Sequence, residues 1–163
     1  MIKRLSINDI SQVVKIHKEE LHGFLSELGE GFLTKFYQVS LDIPEMFTLI
    51  EKENEQVLGF VSFTTSAKGL YKKVIAKEFL SFVLIFLRYF ITHPESIVKS
   101  VRILTYPGFK DDSPELITIA VFKVHQGKGI GRKLFMAVVK EFKKKGFRKF
   151  KVSAYGENEL LYI

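Results

Sequence analysis

Apolar residues recur along the chain in blocks whose spacing changes from one block to the next. Residues 2–5 suit a short strand, and Asn8 or Asp9 then offers a short side-chain oxygen able to cap a helix. Ile10, Val13, Val14, Ile16 and Leu21 follow at close to helical spacing. A second helix is predicted over 31–41, with Phe32, Leu33, Phe36, Tyr37 and Val39 apolar and Pro44 ending it. Residues 46–51 and 57–65 read as strands, rich in β-branched and aromatic side chains. The polar stretch 52–56 between them predicts a hairpin.

The block 78–92 departs from this alternation. Between Glu78 and Thr92 only Ser81 and Arg88 interrupt an apolar run, which is shorter than the roughly 20 residues of a membrane span. Four readings stay open: a helix buried on most faces, a helix lining an apolar acceptor pocket, a homodimer contact, or peripheral membrane contact. His93-Pro94 breaks the pattern, because the residue before proline disfavours the helical conformation. A short helix is predicted over 94–104 and a loop over 106–114.

The last third is the most regular. Residues 115–121 form a strong strand pattern, followed by a glycine-rich loop. Leu134, Phe135, Val138, Val139 and Phe142 give 130–145 one apolar helical face. Lys143, Lys144 and Lys145 suit its last turn, and Gly146 suits a left-handed stop. Phe150, Val152 and Ala154 alternate through a final strand, 147–155.

Charge widens the field before it narrows. A net charge of +7 admits nucleic acid, acidic lipid or a phosphorylated cofactor as partner, or a lysine-rich surface with none of these. The basic run 143–151 carries Phe147 and Phe150, a composition that suits a nucleic-acid module, yet both also fit a core. Nucleic acid is therefore the weaker reading. With no cysteine, thiol chemistry is excluded and a cytoplasmic setting is expected. No signal peptide is read at residues 1–5. His17 and His22 stand five apart, off the spacing that shares a helix face, and no metal site is expected.

The loop Gln126-Gly127-Lys128-Gly129-Ile130-Gly131 is the main chemical signal. Strand, glycines and helix in this order suit an anion: no Cβ blocks the backbone, and the first N–H groups of the helix lack partners. Lys128, Arg132 and Lys133 add positive charge. A Walker loop needs Ser or Thr after its Gly-Lys, and a dinucleotide fingerprint needs G-x-G-x-x-G in an early unit; neither is met. A plain glycine-rich helix cap is the alternative.

These residues resemble the central motif of the GNAT acyltransferase superfamily. There a strand is followed by Gln or Arg, two residues of any kind, Gly, any residue, and Gly or Ala. Gln126, Gly129 and Gly131 fill those positions. The order of strand, two helices and hairpin before residue 66 is similar to the family's start, and 70–105 looks like an insertion in one domain, 1–163. The resemblance implies a mixed α/β (α+β) fold, with a mostly antiparallel central sheet flanked by helices. It also implies that the last strands are missing, because the residues end at Ile163. Acetyl-CoA is the implied co-substrate, with no metal. Gln126, Gly127, Lys128, Gly129, Ile130, Gly131 and Arg132 would cradle its pyrophosphate, and the backbone of Ile119, Ala120 and Val121 would pair with its pantetheine arm. Asn158 would contact that arm, or else cap a turn or helix. Glu115 would be the catalytic base, or else an ordinary polar residue opening a strand. No acid is assigned, since neither Tyr155 nor Tyr162 stands at the family's offset, and His125 is read as a loop residue. The implied activity is N-acetyl transfer to a primary amine of a small molecule or peptide, with a non-catalytic acyl-CoA-binding protein as the alternative. A sheet edge left open would favour self-association.

Overall fold

The strand pattern is realised as one six-stranded sheet in the order β1-β2-β3-β4-β5-β6. Its strands are β1 (Ile2–Arg4), β2 (Met46–Glu53), β3 (Gln56–Thr64), β4 (Glu115–Val121), β5 (Lys149–Ala154) and β6 (Glu157–Tyr162). The computed structural model describes residues 1–22, 24–92, 112–154 and 157–162. The helices are α1 (Ile10–Glu20), α2 (Phe24–Glu27), α3 (Gly29–Ser40), α4 (Leu70–Lys77), α5 (Phe79–Thr92) and α6 (Ile130–Lys144). The helix expected over 94–104 and most of the loop expected over 106–114 lie outside the described residues.

All neighbouring strands are antiparallel except β4 and β5. The hairpin between β2 and β3 turns on Asn54 and Glu55, both at positive φ (45° and 63°). Two consecutive left-handed residues make the tight turn that matches strand twist. The sequence pattern does not mark β6 as a strand. It pairs along all of β5, whose contact with β4 is short, and so satisfies an edge that would otherwise stay open.

Alternation along the strands loads both faces of the sheet. Ile50 and Phe60 face a core built with α1, α3, α4 and α5, while Val61, Phe63, Leu116 and Phe150 face Leu134, Val138 and Phe142 of α6. Gly59 stands opposite Val121 in the register. A Cβ there would lie 2.8 Å from the Ala120 carbonyl oxygen, so only glycine allows β3 and β4 this approach.

Two expectations need correction. Asp9 does not cap α1: its backbone is already helical, and its carboxylate instead meets Ser6 Oγ at 2.5 Å and Lys52 Nζ at 2.8 Å. Nor is α5 buried on most faces. Phe82 and Tyr89 are buried, but Leu80, Leu84, Leu87 and Ile91 are more than half exposed. Periodicity located the helix but could not show how much of its circumference the fold would cover. No helix among the described residues is long and apolar enough to cross a membrane.

A thread of polar side chains runs through the α1 side of the core. His17 Nδ1 and the Tyr37 hydroxyl share a 2.8 Å hydrogen bond, and Thr48 and Ser62 share another of 2.8 Å. Burial lifts the Tyr37 phenol well above its usual pKa, against the pull of a hydrogen bond with Ser62. Burial also lowers His17 from 6.5 to about 4, so its imidazole is neutral at pH 7 and lies stacked over Phe60.

Two measurements check this packing. A histidine with a depressed folded pKa stabilises least where the unfolded chain takes up the proton. His17 should therefore remove about 2 kcal/mol of stability between pH 7 and pH 5, and His17→Gln should lose that portion of the pH dependence in urea titrations. Gly59→Ala should lower stability by about 1–3 kcal/mol through overpacking; an unchanged urea midpoint would contradict the close approach of β3 and β4.

Candidate functional site

Strand β4 is fully paired on one side and nearly bare on the other. It follows β3 from Thr64↔Glu115 to Gly59↔Val121, with one irregularity where Ser62 meets Thr118 and Phe63 meets Leu116. On its far side it meets β5 only at Glu115↔Lys151 and Leu116↔Val152. Beyond Leu116 the two strands part, and backbone groups on that edge of β4 have no strand partner among the described residues.

The opening continues into a cleft of about 400 Å³, within the usual range for small-ligand sites. Its lining brings together Ile119, Ala120 and Val121 of β4 with His125, Gln126, Gly127, Gly129, Ile130 and Gly131 of the following loop and helix. Eight of the eleven residues expected to meet the cofactor thus share one cavity. His125, read as a plain loop residue, lines it too.

The glycines are there for different reasons. Gly127 and Gly129 both sit at φ 76°, a left-handed geometry that strains any residue with a Cβ. Gly131 is in ordinary helix, and a Cβ there would touch only Val121 Cγ2 at 3.7 Å. Its smallness therefore serves the cleft more than the fold. Gly129 is the N-cap of α6 and no side chain caps it; the first backbone bond runs from Lys133 N to Gly129 O at 3.0 Å. The N–H groups of the first turn thus lack helical acceptors and carry the positive end of the dipole.

The charges around the loop divide in two. Lys128 and Arg132 are exposed beside the loop. Lys133 instead turns toward the sheet and binds Glu51 Oε1 at 2.9 Å. Burial would raise the Glu51 carboxyl, but hydrogen bonds from Lys133 and the Met1 ammonium outweigh it and hold the pKa below the usual value. Lys133 is committed to the fold.

Gln126 lines the cleft and also ties the loop to its neighbours. Its side-chain amide donates to Val121 O at 2.9 Å and to Glu20 Oε2 at 3.3 Å. Glu20 Oε1 also accepts Lys123 N at 2.7 Å, so the end of α1 fastens the loop. Sequence reasoning misses Glu20, since 103 residues separate it from Lys123 and no local pattern links them. A second cleft of about 460 Å³ lies beside Gln126, but Glu19 and Glu20 line it, and their carboxylates would repel phosphate.

Glu115 and Asn158 lie apart from the cleft lining, as do the exposed Lys128 and Arg132. Glu115 sits where β4 and β5 are still paired. The half-buried Tyr71 lies close to it: desolvation raises the Tyr71 pKa and the Glu115 charge adds to the effect. Asn158 stands in β6 opposite Ser153, so it occupies neither a turn nor a helix cap, and β5 separates it from β4. The aromatic residues of the basic run face inward: Phe150 is fully buried, with Phe142 at 4.9 Å between ring centroids, and Phe147 packs edge-on to Phe142. They offer no exposed stacking platform for nucleic-acid bases.

Solved structures with this architecture share little sequence with the chain. An aminoglycoside 6'-N-acetyltransferase of Acinetobacter haemolyticus matches with a TM-score of 0.58 at 13% identity, covering 95% of this chain and 79% of that one. A GNAT family acetyltransferase of Brucella melitensis, in complex with acetyl-CoA, matches at 0.57 and 16% identity, covering 100% and 87%. The PaiA N-acetyltransferase of Thermoplasma acidophilum, in complex with coenzyme A, matches at 0.57 and 14%, covering 98% and 81%. At such identities the likeness establishes the fold. No curated protein matches the chain in sequence. The profile of the Acetyltransferase (GNAT) family spans residues 12–159, and with the split between β4 and β5 and the glycine loop in place, the chain belongs to that family.

Proposed function

We propose that the chain transfers the acetyl group of acetyl-CoA to a primary amine of a small molecule or peptide. The observation that carries this reading is the continuity of the cleft, which joins an unpaired strand edge to a helix start with no side-chain cap. The two halves suit the two halves of the cofactor. Pantetheine is an extended chain with amides, and it can pair with the backbone of Ile119, Ala120 and Val121 as an added strand. The pyrophosphate suits the free N–H groups around Gly127, Gly129, Ile130 and Gly131, with Lys128 and Arg132 as counter-charges. In this reading Gln126 contributes backbone to the lining, while its side chain shapes the loop through Val121 and Glu20.

The cofactor supplies a thioester. The neutral amine attacks its carbonyl carbon, a C–N bond forms, the C–S bond breaks, and the thiolate takes up a proton from solvent. Glu115 is the proposed base, accepting the proton the amine loses, directly or through water. Residues 70–105 are read as an insertion in this single domain, and Asn158 as a contact to the cofactor arm.

Two experiments test the proposal. Acetyl-CoA at about 100 times its Kd should add about 2.7 kcal/mol of stability, seen as a rise in Tm. Gly131→Val should abolish that rise while leaving the Tm of the free protein nearly unchanged, because little besides the cleft surrounds the new side chain. No shift with either acetyl-CoA or CoA would overturn the cofactor assignment. With an amine panel and a thiol-release assay, Glu115→Gln should lower kcat near neutral pH by about 10²-fold with acetyl-CoA affinity retained. Cofactor binding without turnover on any amine would instead favour an acyl-CoA-binding protein without catalysis.

A further inference from the structure

Helix α5 presents two unlike faces. Phe82 and Tyr89 are buried against the sheet-side core, and Phe82 packs on Phe32 of α3 with centroids 5.5 Å apart. On the outer face Leu80, Leu84, Leu87 and Ile91 are 76%, 68%, 55% and 81% exposed, with Phe79 at 60% beside them. Five large apolar side chains more than half exposed along one helix form a patch of the kind that marks an interaction surface.

The spacing of the stripe narrows the partner. Leu80, Leu84, Leu87 and Ile91 follow one another by four, three and four residues, the alternation of a helix-to-helix seam. The series also reads the same in both directions. An antiparallel copy of α5 would therefore set Leu80 against Ile91 and Leu84 against Leu87 at both ends of the contact, as a two-fold interface requires. The same register places the one cation of α5, Arg88, opposite Val83 and not opposite itself.

A lipid surface fits less well, because helices that lie on membranes offer free cations around the apolar face. Here Lys73, Lys77 and Lys35 are paired with Glu45, Asp42 and Glu78, which leaves α5 a single exposed cation of its own, Arg88, beside the stripe. We infer that the outer face of α5 is the contact through which two copies of this chain form an antiparallel, two-fold dimer.

Sedimentation velocity on the full chain at tens of micromolar should give the mass of two copies. Leu84→Glu should give one copy, with the same far-UV spectrum. A second test does not need that variant to fold. The chain has no cysteine, so introduced thiols report alone. Under mild oxidation an equimolar mixture of L84C and L87C chains should cross-link well beyond either alone, because Leu84 faces Leu87 of the other copy in this register. A wild-type monomer would overturn the inference, as would equal cross-linking of the mixture and the single variants. So would co-sedimentation with phosphatidylserine vesicles that L84E abolishes.

Discussion

Strands β4 and β5 run parallel for two residue pairs and then part, and the rest of the site follows from that separation. A longer pairing would bury the edge of β4 under β5 and close the cleft. β5 is also packed on the α6 face. Phe142 and Phe150 are fully buried together, with Leu134 and Val138 beside them, and they set β5 by its side chains where backbone pairing lapses. The unpaired edge is tolerable because it faces a cavity, where backbone groups can be solvated or bonded to a ligand.

The opposite face keeps β4 in place. Gly59 lets β3 approach β4 closely, so the strand with one bare edge is held hard by the other. Beneath it, the polar thread of His17, Tyr37, Ser62 and Thr48 gives the α1 core a fixed hydrogen-bond pattern as well as apolar contacts. Lys133 and Glu51 join the first turn of α6 to β2. The loop between β4 and α6 is thus anchored at its strand, at its helix and, through Glu20, at α1.

How much of this could be read from the chain depends on the range of the interaction. The β2–β3 hairpin, strand β4, the glycine loop and α6 are set by local pattern and turn chemistry, and each stands within a few residues of its expected place. Gly127 and Gly129 are needed for a local backbone geometry, so sequence alone points to them. Gly59 is needed for contact with a strand some sixty residues on, and nothing near it in sequence shows this. Glu20 and Tyr71 are invisible for the same reason: each matters through a neighbour brought up by the fold. The apolar block 78–92 shows a mixed case. Its helix is local and legible, but which of its faces meets the core depends on α3 and α4.

The bond from Lys123 N to Glu20 has a consequence for local order. Helix ends fray, and a loop left to itself opens independently of them. Here the last residue of α1 holds both a backbone amide and the Gln126 side chain of the loop, so unwinding one releases the other. The loop is thereby tied to the end of a helix distant in the chain.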